Sequence, residues 1–216
     1  MSRVRPVLAV TAGGAAGAIP FSNLMARWLV GTDLRSVGSG TVSGTGLAQV
    51  AGTGPLVVTG VLELAKGALG PLLAGRRHPI AAALAGGCAV CGHNWSPLLG
   101  GAGGRGISPA IGALGVSAPA GSLVLLAGLA FGKLAGETAL GCFVADVVLV
   151  PVTGRLHGRG GRVAAWAVLV PIVAKRLMGN APPAQRRPAT YLCRVLFDRD
   201  TWKRPGSGPR RAGAPS

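Results

Sequence analysis

Two stretches of the chain combine glycines, hydroxyls and cations in a way that suits an anionic ligand. The first, residues 31–46, reads GTDLRSVGSGTVSGTG; the second, residues 91–106, reads CGHNWSPLLGGAGGRG. Closely spaced glycines let successive backbone N–H groups turn toward one point and form an anion nest. Ser39, Thr41, Ser43 and Thr45 add hydroxyl donors, and the Arg105 fork can hold a phosphate through two N–H groups at once. His93 precedes the second loop and could donate to a substrate oxygen. Neither stretch is a Walker loop, which needs G-x-x-x-x-G-K-[ST], or a dinucleotide fingerprint, which needs a preceding strand.

The cysteines offer no competing chemistry. Cys88, Cys91, Cys142 and Cys193 form no dense framework for disulfides. CAVCGH has one residue too many for haem attachment, and no second ligand pair accompanies Cys88, Cys91 and His93. Small buried thiols in a helix are expected, with no metal and no cofactor.

The elements around these loops are apolar. Of 216 residues, 49% are hydrophobic and 13% charged, about half the charge of an ordinary soluble domain. Segments near the length of a membrane span occupy residues 6–30, 54–74, 79–100, 107–132 and 134–152, with a shorter one at 163–178 read as re-entrant or tilted. They are rich in Gly and Ala, residues that let helix backbones approach in lipid. The expected fold is all-α, a polytopic integral membrane bundle of five to seven short helices over residues 1–180. The apolar start continues to Val30, too long for a signal peptide. The net charge is +16, and from Lys175 to Arg211, leading into and through a C-terminal tail over residues 181–216, ten basic residues face only Asp198 and Asp200. The tail's ATYLCRVLFDRDTWKR segment is read as an amphipathic helix on anionic headgroups, after a linker, and not as a nucleic-acid binder.

The order GSGTVSGTG, LELAKGALG, GHNWSPLLGGAGGRG and then Arg162 resembles the bacterial acyl-phosphate:glycerol-3-phosphate acyltransferases, with loops of the type G-S-G-N-x-G-A-T-N and G-H-x-F-P-x-F-x-x-F-K-G-G-K-G. That resemblance implies acyl transfer from acyl phosphate to the 1-hydroxyl of glycerol 3-phosphate, at the cell membrane of a bacterium, with the loops cytoplasmic. It implies catalytic roles for Ser39, His93 and Arg105, and substrate contacts from Arg35, Gly40, Thr45, Lys66, Gly103, Gly104 and Arg162. Glu63 replaces the family's aspartate beside Lys66, and Arg105 replaces its second loop lysine. Thr41 and Gly46 stand in place of asparagines, Gln49 in place of an arginine and Ala102 in place of the first loop lysine. The C-terminal His-x-x-Asn element falls on Val170 and Val173. These losses motivate a second reading, a silent phospholipid-binding relative. Asp146 and Glu137, carboxylates at membrane segments, motivate a third, a small transporter.

Overall fold

The computed structural model describes residues 4–38, 40–183 and 185–201. Among these, the regular structure is helical throughout. Three stretches are long and apolar enough to cross a membrane: Val4–Val30, Thr53–Ala74 and Thr138–Met178.

The first is broken. α1 (Val4–Ala18) and α2 (Phe21–Val30) are separated at Ile19 and Pro20, because proline supplies no N–H for a continuing helix and disfavours helical geometry in the residue before it. After a short α3 (Gly44–Ala51), α4 (Thr53–Ala74) matches its expected segment. α5 is shorter than expected, Pro79–Asn94, and gives way to a 3-10 turn at Pro97–Leu99. The predicted segment 107–132 is two helices, α6 (Ile107–Ser117) and α7 (Pro119–Leu134), divided at Ala118 ahead of Pro119.

The last two predicted segments are limbs of one element, α8 (Thr138–Met178), which reverses at Gly158 (φ 62°, ψ −146°). The reversal is a hairpin, since Arg176 Nη1 donates to the Ala139 carbonyl at 3.1 Å. Residues 163–178 therefore form a limb running back along the bundle, not a re-entrant element. α9 (Pro188–Phe197) follows.

Contacts at the helix ends fix the directions. Arg5 Nε donates to Leu73 O, joining the start of α1 to the end of α4. Gly86 lies against Ala113 and Asn94 against Gly106, so α6 runs antiparallel to α5; Gly121 lies against Thr153 and Gly132 against Thr138, so α7 opposes the first limb of α8. Among the described residues, the chain runs along the bundle seven times, and both glycine loops lie at the end where α1 and α5 finish.

Valine, leucine and phenylalanine side chains such as Val7, Leu72, Leu123, Phe131, Val147 and Val170 are exposed, which suits lipid as the surrounding solvent. The interior is packed from small residues and aliphatics, including Ala110, Ala113, Leu114, Leu149 and Ile172. Glycines make the crossings possible. A Cβ on Gly67 would stand 2.0 Å from Pro109 O, and one on Gly112 would stand 1.9 Å from Leu64 O.

The C-terminal segment docks through charge. Arg194 Nη1 donates to Leu177 O and Met178 O at 3.1 and 2.8 Å, and its Nη2 donates to Ala181 O at 3.1 Å. These are carbonyls at and just beyond the end of α8, which its own backbone cannot satisfy. The arginine side of α9 thus faces the bundle, while Tyr191 and Leu192 stay exposed. The predicted linker is drawn into this cap through Ala181; Trp202, expected at the interface, lies outside the described residues.

Because both contacts at the α4–α6 crossing are with backbone, Gly67→Val should cost at least about 3 kcal/mol of stability by overpacking. The melting temperature in detergent should fall sharply, and an unchanged value would contradict this packing.

Candidate active site

Glu63 and Lys66 lie one turn apart on the same face of α4. Glu63 Oε2 is 2.8 Å from Lys66 Nζ and 2.9 Å from His93 Nδ1, and all three side chains are nearly enclosed. Lys66 Nζ also donates to Ile19 O at 2.7 Å, at the break between α1 and α2, and lies 5.6 Å from the centre of the Phe21 ring. The expected substrate-binding lysine is therefore fully engaged inside the protein, and it ties three helices together.

His93 sits in the last turn of α5. With the carboxylate beside Nδ1, that nitrogen carries the proton and Nε2 carries the lone pair. Nε2 faces Gly104 so closely that a Cβ there would stand 2.1 Å away. The imidazole thus presents a proton acceptor to the second glycine loop.

The two loops are fastened to each other. In the first, α2 ends at Gly31 in the left-handed region, Asn23 Oδ1 accepts from Leu34 N at 2.7 Å, and Val42 N donates to Gly103 O at 3.1 Å. Asn180 joins both: its Nδ2 donates to Gly40 O at 2.9 Å and Gly103 O at 2.8 Å, while its Oδ1 accepts from Gly103 N at 3.2 Å. The second loop is anchored to α1 through Ser96 Oγ, which donates to Ala18 O at 2.6 Å. Between the loops and Glu63, Lys66 and His93 lies a cavity of about 10 Å³, room for roughly one water molecule. A groove of about 650 Å³ at the other end, walled by Val7, Val10, Ile80 and Leu84, is almost wholly apolar and suits hydrocarbon instead of chemistry.

These bonds correct the anion-nest expectation for Gly103 and Gly104. Gly103 N already donates to Asn180, and Gly104 N donates to His93 O at 3.2 Å. The glycines serve close approach: a Cβ on Gly103 would strike His93 O and Asn94 O.

Other predicted residues are brought together unevenly. Gly40 takes φ 68° and belongs to the loop junction, and Thr45 is exposed in the first turn of α3. Ser39 lies outside the described residues. Arg105 pairs through Nε with Asp198 of the C-terminal segment at 2.5 Å, and its Nη1 is buried with no hydrogen-bond partner among the described residues. Arg35 is paired with Asp33 at 2.7 Å on the surface, its Nη1 reaching Leu99 O at 3.4 Å. Arg162 is a correction. It is exposed and packs on Gly154 at the α8 reversal, where Gly160 lies against Pro79. Pro79 begins α5 and His93 ends it, so Arg162 is at the opposite end from the loops. The added crossing at Ala118 is the reason, since it inverts the side on which every later segment emerges.

Asn180 is the residue that sequence reasoning missed. Val170 and Val173, on which the resemblance places the His-x-x-Asn element, lie inside the second limb of α8, and Asn180 follows just beyond its end. The readable signal was Gly179, a helix C-terminus with φ 66°, immediately before an asparagine. Asp146, which suggested a transporter, is compensated by Arg176 at 3.6 Å; Glu137 pairs with Arg199 at 2.7 Å.

A family model described as glycerol-3-phosphate acyltransferase matches residues 7–180. The chain belongs to that family. Among its relatives, a glycerol-3-phosphate acyltransferase 5 of Dehalococcoides mccartyi is 32% identical over 212 residues, covering 92% of this chain and 88% of the relative. A glycerol-3-phosphate acyltransferase of Myxococcus xanthus is 38% identical over 146 residues, covering 61% and 76%. The fold is that of the crystal structure of PlsY (YgiH), an integral membrane glycerol 3-phosphate acyltransferase, in its glycerol 3-phosphate form. The TM-score is 0.71 at 24% identity, with 79% of this chain and 88% of that chain covered. The lysophosphatidic acid form gives 0.68 at 20% identity, with 79% and 87% covered.

Two measurements follow. Glu63→Ala leaves a buried ammonium without its anion and should cost roughly 3–5 kcal/mol, read as a lower melting temperature, whereas Glu63→Asp should recover part of it. Hydrogen bonds from Arg35 hold the Asp33 carboxyl at about 2, below its ordinary 3.8. The depressed value means that the pair's small contribution is complete above pH 3.8 and is lost as the pH falls through about 2. In Arg35→Ala, the Asp33 carboxyl should titrate back near 3.8 by NMR.

Proposed function

We propose that the chain transfers a fatty acyl group from acyl phosphate to the 1-hydroxyl of glycerol 3-phosphate, releasing lysophosphatidate and inorganic phosphate. Family membership supports the reaction class. The observation that carries the mechanism is His93, oriented by Glu63 with Nε2 directed at Gly104 of the second glycine loop.

Acyl phosphate needs no enzyme nucleophile, because phosphate is already a good leaving group. The glycerol hydroxyl attacks the acyl carbon as its proton passes to His93 Nε2. The bond from that carbon to the phosphate oxygen breaks, and the proton then leaves with phosphate. Glu63 stabilises the imidazolium formed between these steps, a role that needs a carboxylate fixed beside Nδ1. Arg105, whose Nη1 has no hydrogen-bond partner among the described residues, is assigned to the phosphate charge, and Ser39 to the same loop chemistry.

The protein works in the plasma membrane of a bacterium, with its glycine-loop end facing the cytoplasm. The C-terminal arginines Arg186, Arg187, Arg194 and Arg199 join Arg27, Arg35 and Arg105 at that end, in keeping with the bias of cytoplasmic segments toward positive charge.

Purified protein given acyl phosphate and glycerol 3-phosphate should release inorganic phosphate. His93→Ala should lower kcat by about 10²–10⁴-fold, the range for removing a positioned acid–base group. Wild-type release no faster than in an Arg105→Ala control, or full activity in His93→Ala, would sink the proposal.

A further inference from the structure

The enclosed charges at the loop end of the bundle are almost all paired among the described residues. Four cationic side chains are buried among the described residues: Lys66, Lys175, Arg176 and Arg194. Lys66 meets Glu63, Arg176 meets Asp146 and Arg194 meets Asp200. The partly buried Arg105 meets Asp198, and Arg199 meets Glu137. Lys175 is only 1% exposed and is the buried cation with no carboxylate partner among the described residues.

Its two direct contacts are neutral. Nζ lies 3.5 Å from Gly101 O, a long contact, and 5.4 Å from the centre of the Trp95 ring. An ammonium carries three donors, so one carbonyl and an aromatic face leave donor capacity and charge unmatched. Burying a charge without its counterion is costly, and a second cation, Arg105, belongs to the same loop. The site is short of negative charge at this point.

The approach is open. Gly100 and Gly101 are exposed, have φ values of 64° and 86°, and would meet nothing within 4 Å if a Cβ were added to either. A group arriving over Gly101 reaches the carbonyl that Lys175 Nζ contacts from within. Lys175 emerges from the last turn of α8, five residues before Asn180, so the helix that clamps the two loops also brings this charge to them. Ala102, where the resemblance leads one to expect a lysine, is the neighbour of Gly101.

We infer that Lys175 binds the phosphate group of a substrate at residues 100–102, adding from α8 a second positive charge to that of Arg105 on the loop. The identity of the phosphate carrier rests on the acyltransferase reading; the binding of phosphate does not.

The test compares full-length wild type, Lys175→Met and Lys175→Arg in detergent, varying acyl phosphate and glycerol 3-phosphate separately. Lys175→Met should raise KM for one of the two by about tenfold to a hundredfold, the factor for losing a hydrogen bond to a charged group. Its kcat should change less, and Lys175→Arg should restore most of the loss. The substrate whose KM moves identifies the phosphate. In parallel, inorganic phosphate should raise the melting temperature of wild type and of Lys175→Arg, but not of Lys175→Met. If Lys175→Met does not fold, Lys175→Gln takes its place in both arms.

Unchanged KM values for both substrates together with an intact response to phosphate in a folded variant overturn the inference. So does a wild type that shows neither turnover nor a phosphate response. A wild type that responds to phosphate through Lys175 but releases none from acyl phosphate upholds the inference and overturns the proposed function instead.

Discussion

Glu63 is a carboxylate enclosed within an apolar bundle, and it is met by positive or proton-donating nitrogen on two sides. Lys66 approaches from the same helix and His93 from α5. Removing either neighbour would leave charge stranded where water cannot repay it. The arrangement reaches further through Lys66, whose second contact is the Ile19 carbonyl at the proline break. One buried carboxylate therefore sets the register of α1, α4 and α5, and in doing so aims the imidazole at the glycine loop. Structural and chemical demands fall on the same atoms.

That register requires backbones nearly in contact. α1 crosses α5 at Gly13 and Gly17, where added Cβ atoms would meet carbonyls of Ala85 and Ala89 at 2.5 and 2.2 Å. α4 crosses α6 in the same way. In lipid, where apolar side chains gain little by leaving one apolar medium for another, such close approach supplies dispersion contacts that larger side chains would prevent. It also leaves little free volume around the polar centre, which is why the enclosed cavity is so small.

Much of this was legible in the sequence. Low charge and long apolar runs specified a membrane bundle, the small residues specified tight crossings, and the glycine-rich segments marked the end that carries polar chemistry. The breaks at Pro20 and Ala118 were harder to read, because hydropathy continues through them unchanged; only the proline positions betray them. The missed crossing reversed the expected side of Arg162. Gly103 and Gly104 were legible as special but not in their purpose, since glycine spacing serves an anion nest and a close backbone approach equally well. Asn180 and Asp198 lie far along the chain from the loops they hold, and nothing in local periodicity reports a contact between residues so distant in sequence. Lys175 was hidden for a related reason: a lysine at a helix end ordinarily points to water, and only the packing of α8 against the loop encloses it.

Asn180 uses a single side chain to hold Gly40 and Gly103, one from each glycine segment. A shift in one loop must either stretch that amide's bonds or carry the other loop with it. The two segments consequently share one mechanical state. A ligand that displaces the first does work on the second, and the affinity of each half of the site depends on what occupies the other.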